Sequence, residues 1–342
     1  MSVSITLSVL TLALSGQDLV YSGREYLKVG RSWPQIRELN LATNQRVQLT
    51  TSPRTHLRPW CAPDGRSVFF TSDPVNGQNV LYRFDRPTKQ ETVSIPLEQT
   101  LLQVADAVDS SQVVVEEYGG IIEILDVAKN RKIRKISGVH AALSPDHTLI
   151  AWQTPVDRVM NKEQRSHILI ARVDGTGQSD LGEGNTPAFL PNSKSLVFVR
   201  YRDQNLDLVR YDIESQRQEV TATRDNEADP FEDPYGLTIG PDGTTIVLSS
   251  CCGRYGSALF WRLLPDQTWK LLDDNLGRWG GWSQGGLLVY DTDGRDLRQL
   301  EPNKSVWVSD IKLFDPATGL TRTILQGVSQ NEEPRWCRSD GR

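Results

Sequence analysis

Residues 58–73 read RPWCAPDGRSVFFTSD. Pro63 fixes φ for a turn and Gly65 relieves it. With apolar runs on either side, the stretch predicts a strand, a tight turn and a partner strand over Ser67 to Ser72. The last ten residues, EPRWCRSDGR from Glu333, repeat only the first half: proline, tryptophan and cysteine, then Asp340-Gly341, and the sequence stops. An unpaired strand is an exposed edge, so its partner must come from elsewhere in the chain.

The same hairpin recurs as AALSPDHTLIAWQT from Ala141, PAFLPNSKSLVFVRY from Pro187 and YGLTIGPDGTTIVLSS from Tyr235, with weaker copies from Ala105 and Gly280. The turn positions Asp64, Asp109, Asp146, Asn192, Asp242, Gly285 and Asp340 lie 37 to 55 residues apart. After each second strand comes a period-2 run, a polar turn and a closing strand, as in NVLYRFDRPTKQETVSI and LDLVRYDIESQRQEV. That alternation argues strand rather than helix. Four strands per unit of about 40 to 50 residues is the repeat of a β-propeller blade.

The half hairpin finds its place in this frame. Ser15 to Gly23 aligns with a second strand, and QIRELNLATNQRVQL supplies a third and fourth, so the first unit lacks only its innermost strand. EPRWCRSDGR is that strand. The expected fold is therefore all-β: a single seven-bladed propeller, closed by pairing of the N- and C-terminal strands in one blade. Second strands are marked by Leu19, Val68, Val113, Ile150, Val197, Ile246 and Leu288. Six blades is the alternative, should the weakly patterned unit around Ala105 fail to form one.

The repeat resembles that of periplasmic TolB and its relatives, whose core reads roughly Pro-x-Trp-Ser-Pro-Asp-Gly before an apolar strand. Pro59, Pro63, Asp64 and Gly65 match in one unit, Trp282 and Ser283 in another, Pro187, Phe189 and Pro191 in a third. Cys61 and Cys337 stand where the aromatic usually sits, and the separate N-terminal domain of TolB has no counterpart. The resemblance implies a propeller over residues 17–342 but not an activity, because propellers host binding proteins and enzymes alike.

Composition bounds the rest. The chain has 342 residues and a net charge of −5. Its Lys and Arg are scattered, which argues against nucleic acid as partner. No apolar run reaches the ~18 residues of a membrane span. MSVSITLSVLTLALSG, residues 1–16, has an apolar core and Ala13-x-Ser15 as a cleavage site, so it reads as a signal peptide for a periplasmic or secreted protein, although a basic leader is missing. A strand is the alternative, since Val3, Ile5, Leu7 and Val9 alternate with Ser and Thr.

Four cysteines suit an oxidising compartment. Adjacent Cys251 and Cys252 either form a vicinal disulfide or stand as two small residues at a strand end, which the strain of such rings favours. Cys61 and Cys337 occupy equivalent positions on neighbouring inner strands. A bond between them would lock the ring, but it needs Cα atoms within about 7 Å, and the expected spacing of neighbouring blades weighs against it.

None of the four histidines pairs at metal-motif spacing. His147, beside the Asp146 turn, reads as exposed. His56 and His140 fall just before inner strands, near the channel mouth. Oligogalacturonate lyases are built of similar repeats and use channel histidines with a metal, so a polysaccharide-active enzyme is the alternative function. There is no Gly-x-Ser-x-Gly elbow. SPDHTLIAW resembles a sialidase Asp-box without its glycine. No catalytic constellation stands out, and neither cofactor nor metal is expected.

A binding surface remains. Three inter-strand loops on one face are long: residues 21–35, 154–167 and 291–307. Such loops on a rigid scaffold are usually functional or disordered. The first and third carry Arg24, Tyr26, Lys28, Arg31, Trp33, Arg295, Arg298 and Trp307, the residue types that dominate recognition hot spots. Acidic Asp229, Glu232, Asp233, Glu332 and Glu333 enter the same face, with Arg335 below. The expectation is an exported, non-catalytic recognition propeller for a protein or oligosaccharide, for which a monomer suffices.

Overall fold

In a computed structural model of the chain, the residues described are 17–25, 32–74, 77–107, 111–155, 165–202, 205–225, 233–253, 256–263, 269–292, 296–301, 304–326 and 329–338. Residues 1–16, with the expected signal, lie outside them, as does the Asp340-Gly341 turn.

The described strands make seven four-stranded sheets and one two-stranded ribbon. This is a β-propeller architecture of four-stranded blades, all-β as the alternation predicts. In chain order, the first sheet joins Gln17–Glu25, Gln35–Asn40 and Gln45–Gln48 to the C-terminal strand Ser329–Arg338. The second runs His56–Cys61 to Gln90–Pro96, the third Leu101–Ala107 to Arg131–Ser137, and the fourth Val139–Leu143 to Ser179–Glu183. The fifth spans Asn185–Phe189 to Arg217–Asp225, the sixth Asp233–Ile239 to Lys270–Asp273, and the seventh Leu276–Trp282 to Leu320–Leu325. The ribbon, Asp296–Glu301 with Lys304–Val308, is inserted between the second and third strands of the seventh sheet.

The chain divides into two compact units, residues 1–113, 125–131 and 277–342, and residues 114–124 and 132–276. Three sheets (first, second and seventh) fall in one unit and three (fourth, fifth and sixth) in the other, while strands of the third are divided between them. The sheet so divided is the weakly patterned unit around Ala105.

The two chain ends share the first sheet. Leu19 pairs opposite Trp336, Val20 opposite Arg335 and Asp18 opposite Cys337, in antiparallel register. Within each unit, sheets bury alternating residues of their middle strands against one another. Val20, Ile36, Val68, Phe70 and Tyr82 pack between the first and second sheets, and Leu19, Tyr21, Val289, Ile311 and Leu313 between the first and seventh. In the other unit, Ala151, Ile168, Phe189 and Phe198 join the fourth to the fifth.

The turns behave as their residues dictate. In Pro63-Asp64-Gly65, Asp64 Oδ1 accepts the Arg66 N–H at 2.9 Å, and Gly65 adopts φ 69°. Where the repeat has no glycine, His147 and Ser193 hold the same left-handed conformation at φ 58°. Here the aspartate or asparagine side chain fixes the turn for residues that tolerate it less well. His147 is thus a half-buried turn residue.

Candidate functional site

The inner strands carry a feature that the repeat pattern does not announce. Arg58, His140, Thr186 and Glu333 adopt φ of 58°, 53°, 50° and 56°, each on an edge strand of its sheet, the one that pairs with the second-strand position of the repeat. At these points the pairing with the second strand slips: between Leu57 and Trp60, Val139 and Ala142, Asn185 and Ala188, and opposite Val20 to Ser22. A bulge leaves a backbone N–H without a ladder partner. In three cases the preceding sheet supplies the acceptor. Glu116 Oε1 takes the Ala141 N–H at 2.8 Å, Gln153 Oε1 takes the Thr186 N–H at 3.0 Å, and Asp291 Oδ2 takes the Glu333 N–H. Glu116, Gln153 and Asp291 each stand three residues after the second-strand markers Val113, Ile150 and Leu288. A polar residue recurring at that offset is the signal by which the sequence could have revealed them.

The equivalent residue in the first sheet is Ser22. Its hydroxyl donates to the His56 carbonyl at 2.8 Å. The Arg58 N–H is accepted instead by Glu333 Oε2, and the Arg58 Nε lies 3.8 Å from Glu333 Oε1. Glu333 thus links the second sheet, through Arg58, to the seventh, through Asp291. Beside it a small open pocket is lined by Arg58, Pro59, Leu102, Gln103, Val104, Glu333 and Arg335. Glu332 Oε1 accepts the Ser309 hydroxyl at 3.1 Å, and Ser309 bridges Gln330. This ties the base of the inserted ribbon to the same inner strand.

Trp307 projects from that ribbon, 55% exposed and opposite Leu297, and Trp33 stands 37% exposed before Gln35–Asn40. Arg24, in the first strand of the chain, donates from Nε to Ser32 Oγ at 3.2 Å. Arg298 lies in the ribbon, but its side chain is outside the described residues, as are all of Tyr26, Lys28, Arg31, Arg295, Asp229 and Glu232. The structure therefore brings together Glu332, Glu333, Arg335 and the foot of the Trp307 ribbon, with Arg58 as a member that sequence reasoning did not select.

Each histidine has its own setting. His56 is fully buried, its ring stacked on Phe70 at 5.1 Å between centroids, with Phe70 stacked on Tyr82 at 5.5 Å. Its Nε2 faces Ser52 Oγ at 2.8 Å. Burial, with the Arg54 cation nearby, lowers its pKa to about 4 against a smaller opposing effect of Asp73. It is neutral at ordinary pH. His140 belongs to the other unit, and desolvation holds its pKa below the usual value, partly offset by Glu116. His167 pairs with Asp180 at 2.9 Å on the surface.

Cys61 and Cys337 form a disulfide, with Cα atoms 5.4 Å apart. The spacing that weighed against the bond is not there: the two inner strands approach within disulfide reach. Cys251 and Cys252 lie in Thr245–Gly253, with side chains outside the described residues. Among the described residues no group of three or more His, Cys, Asp and Glu is placed to hold a metal.

No protein-family model and no curated protein matches the sequence. Solved structures do match the fold. TolB from Acinetobacter baumannii superposes with a TM-score of 0.54 at 13% identity, over 95% of this chain and 67% of that one. An oligogalacturonate lyase in complex with manganese gives 0.57 at 14% identity, over 77% and 80%. A putative 6-phosphogluconolactonase from Bacteroides uniformis gives 0.57 at 14% identity, over 94% and 98%. At such identities the likeness is one of fold, and one fold carries many functions. The chain has a TolB-like β-propeller fold.

Proposed function

We propose that this is an exported, non-catalytic recognition propeller. In this reading the seven sheets are the blades of one ring, closed by the pairing of its two ends, and residues 1–16 are a signal peptide. The partner is a protein or an oligosaccharide, met by the segments that rise from the first and seventh sheets. The observation that carries the reading is the pair of exposed tryptophans, Trp33 and Trp307. Large aromatics left in solvent on a rigid scaffold cost little entropy on binding and are typical anchors. The Cys61–Cys337 bond supports export, since disulfides persist in oxidising compartments.

A site for sugar cleavage at His56 has less support, because that ring is buried under Phe70 and held neutral. To test recognition, the protein is screened against panels of oligosaccharides and extracytoplasmic proteins, and each ligand is measured again with Trp307→Ala and Trp33→Ala. Losses of about 1–2 kcal/mol or more, with an unchanged melting temperature, are expected for hot spots. Full affinity in both variants would exclude these anchors.

A further inference from the structure

The outer strands of the sheets carry very different charge. Arg131–Ser137, RKIRKIS, holds two arginines and two lysines and no acidic residue, a formal charge of +4. The other outer strands run from −2 in Ser179–Glu183, with Asp180 and Glu183, to +1 in Gln45–Gln48 and Leu320–Leu325, each with one arginine. A charge or two is enough to keep a sheet edge from pairing at random, so the basic strand exceeds what edge protection asks. We infer that this edge binds an acidic polypeptide segment in extended conformation, laid beside Arg131–Ser137 as a further strand. It is a second surface, on a different sheet from the segments of Trp33 and Trp307, and it does not depend on the recognition reading.

Arg131–Ser137 ends the third sheet beyond Ile121–Asp126, so among the described residues its other edge pairs with no strand. Such an edge is a row of N–H and C=O groups to which an extended peptide can add. Side chains alternate across a strand. On one face Arg134 donates from Nη1 to the Arg172 carbonyl of the fourth sheet at 3.3 Å, and Ile136 is buried. On the other, Arg131, Ile133, Lys135 and Ser137 are all exposed. The exposed face thus reads cation, apolar, cation at every second residue, about 7 Å apart along the strand.

Two buried carboxylates hold cations of this strand in place. Asp126 Oδ2 lies 3.5 Å from Arg131 Nε, and Glu123 Oε1 lies 2.8 Å from Lys132 Nζ. Exposed ion pairs are weak, so an incoming carboxylate needs no unpaired cation: it shares or replaces a partner. A peptide in β conformation has the same pitch as the strand. Glu-x-Val-x-Glu therefore places carboxylates opposite Arg131 and Lys135 and an apolar side chain opposite Ile133, in either chain direction. A nucleic acid or an acidic glycan would meet the charge but leave the backbone row unpaired and Ile133 against polar groups.

The test is fluorescence anisotropy of the whole protein with a labelled peptide, Thr-Glu-Thr-Val-Thr-Glu-Thr. The same measurement is made with glutamine in place of glutamate, with the peptide N-methylated at every residue, and with a short oligothymidylate. The glutamate peptide is expected to bind, with the glutamine and N-methylated forms at least about tenfold weaker. Arg131→Gln with Lys135→Gln should lose about tenfold, whereas Arg217→Gln, on the outer strand of the fifth sheet, should leave binding unchanged. Melting temperature checks that the variants fold. Full affinity of the N-methylated form, or tighter binding of the oligothymidylate, would show charge alone at work and overturn the inference. So would no binding of the glutamate peptide, or full affinity in the double variant. None of these outcomes bears on the tryptophan-dependent partner, so failure here is distinct from failure of the recognition reading.

Discussion

Cys61 and Cys337 are 276 residues apart in the chain and 5.4 Å apart between Cα atoms. The bond joins the C-terminal inner strand to the first strand of the second sheet, within a cluster that includes Val20, Val68, Phe70 and Tyr82. Both cysteines are buried, so the covalent link and the packing hold the same contact.

A bond that closes so long a loop removes much chain entropy from the unfolded state. Replacing both cysteines by serine should destabilise the protein by about 2–5 kcal/mol. Denaturant unfolding of the double variant against the oxidised parent measures it. A midpoint unchanged by the substitution would mean that packing alone holds the strand.

The C-terminal strand is also the partner of Gln17–Glu25. Ending the chain at Glu332 removes the pairing of Gln17 to Val20 with Arg335 to Arg338 and exposes a sheet edge. The truncated protein should aggregate or unfold without a cooperative transition. Light scattering and a thermal melt decide; a soluble truncation melting like the parent contradicts the role given to this strand.

His56 makes stability depend on pH. Its folded pKa of about 4 lies below the unfolded value of about 6.5, so the unfolded chain takes up the proton first. The contribution is fully present above pH 6.5 and is lost as pH falls towards 4, by at most about 3 kcal/mol. His56→Phe should flatten the melting-temperature profile between pH 4 and 7. A parent profile already flat over that range would contradict the assignment.

The bulge acceptors are testable singly. Gln153 accepts from the Thr186 N–H and donates to Ser166 Oγ, each at 3.0 Å and both buried. Gln153→Leu leaves the N–H and hydroxyl unmet, at a cost of about 1–3 kcal/mol. Glu116→Gln keeps an oxygen for the Ala141 N–H and should cost less. Chemical denaturation of the two variants separates them, and equal losses would show that the hydrogen bonds are not the cause.

The fold was legible because its signals are local. Pro63-Asp64-Gly65 and Asp242-Gly243 specify turns by their own chemistry, and alternation around Val68 and Val197 marks strands. The sharing of one sheet by the chain ends followed from counting strands, and Val20 opposite Arg335 is its register. The bulges were not legible. Their left-handed residues are Arg58, His140, Thr186 and Glu333, none a glycine, and each N–H is answered by a residue distant in sequence. Arg58 was missed for that reason: only its bulge and Glu333 place it in the pocket. The disulfide depended on how closely two inner strands approach, which equivalence in a repeat does not give. For His56, position suggested a channel mouth, but the stack on Phe70 buries it.

The most direct test of recognition is position-specific photo-crosslinking in the native host. A benzophenone amino acid is placed at position 307, on the inserted ribbon, and in a separate protein at position 64, in the Pro-Asp-Gly turn. The account predicts a discrete crosslinked partner from position 307 and none from position 64. Capture of the same partner from position 64 alone, or from both positions equally, would contradict it.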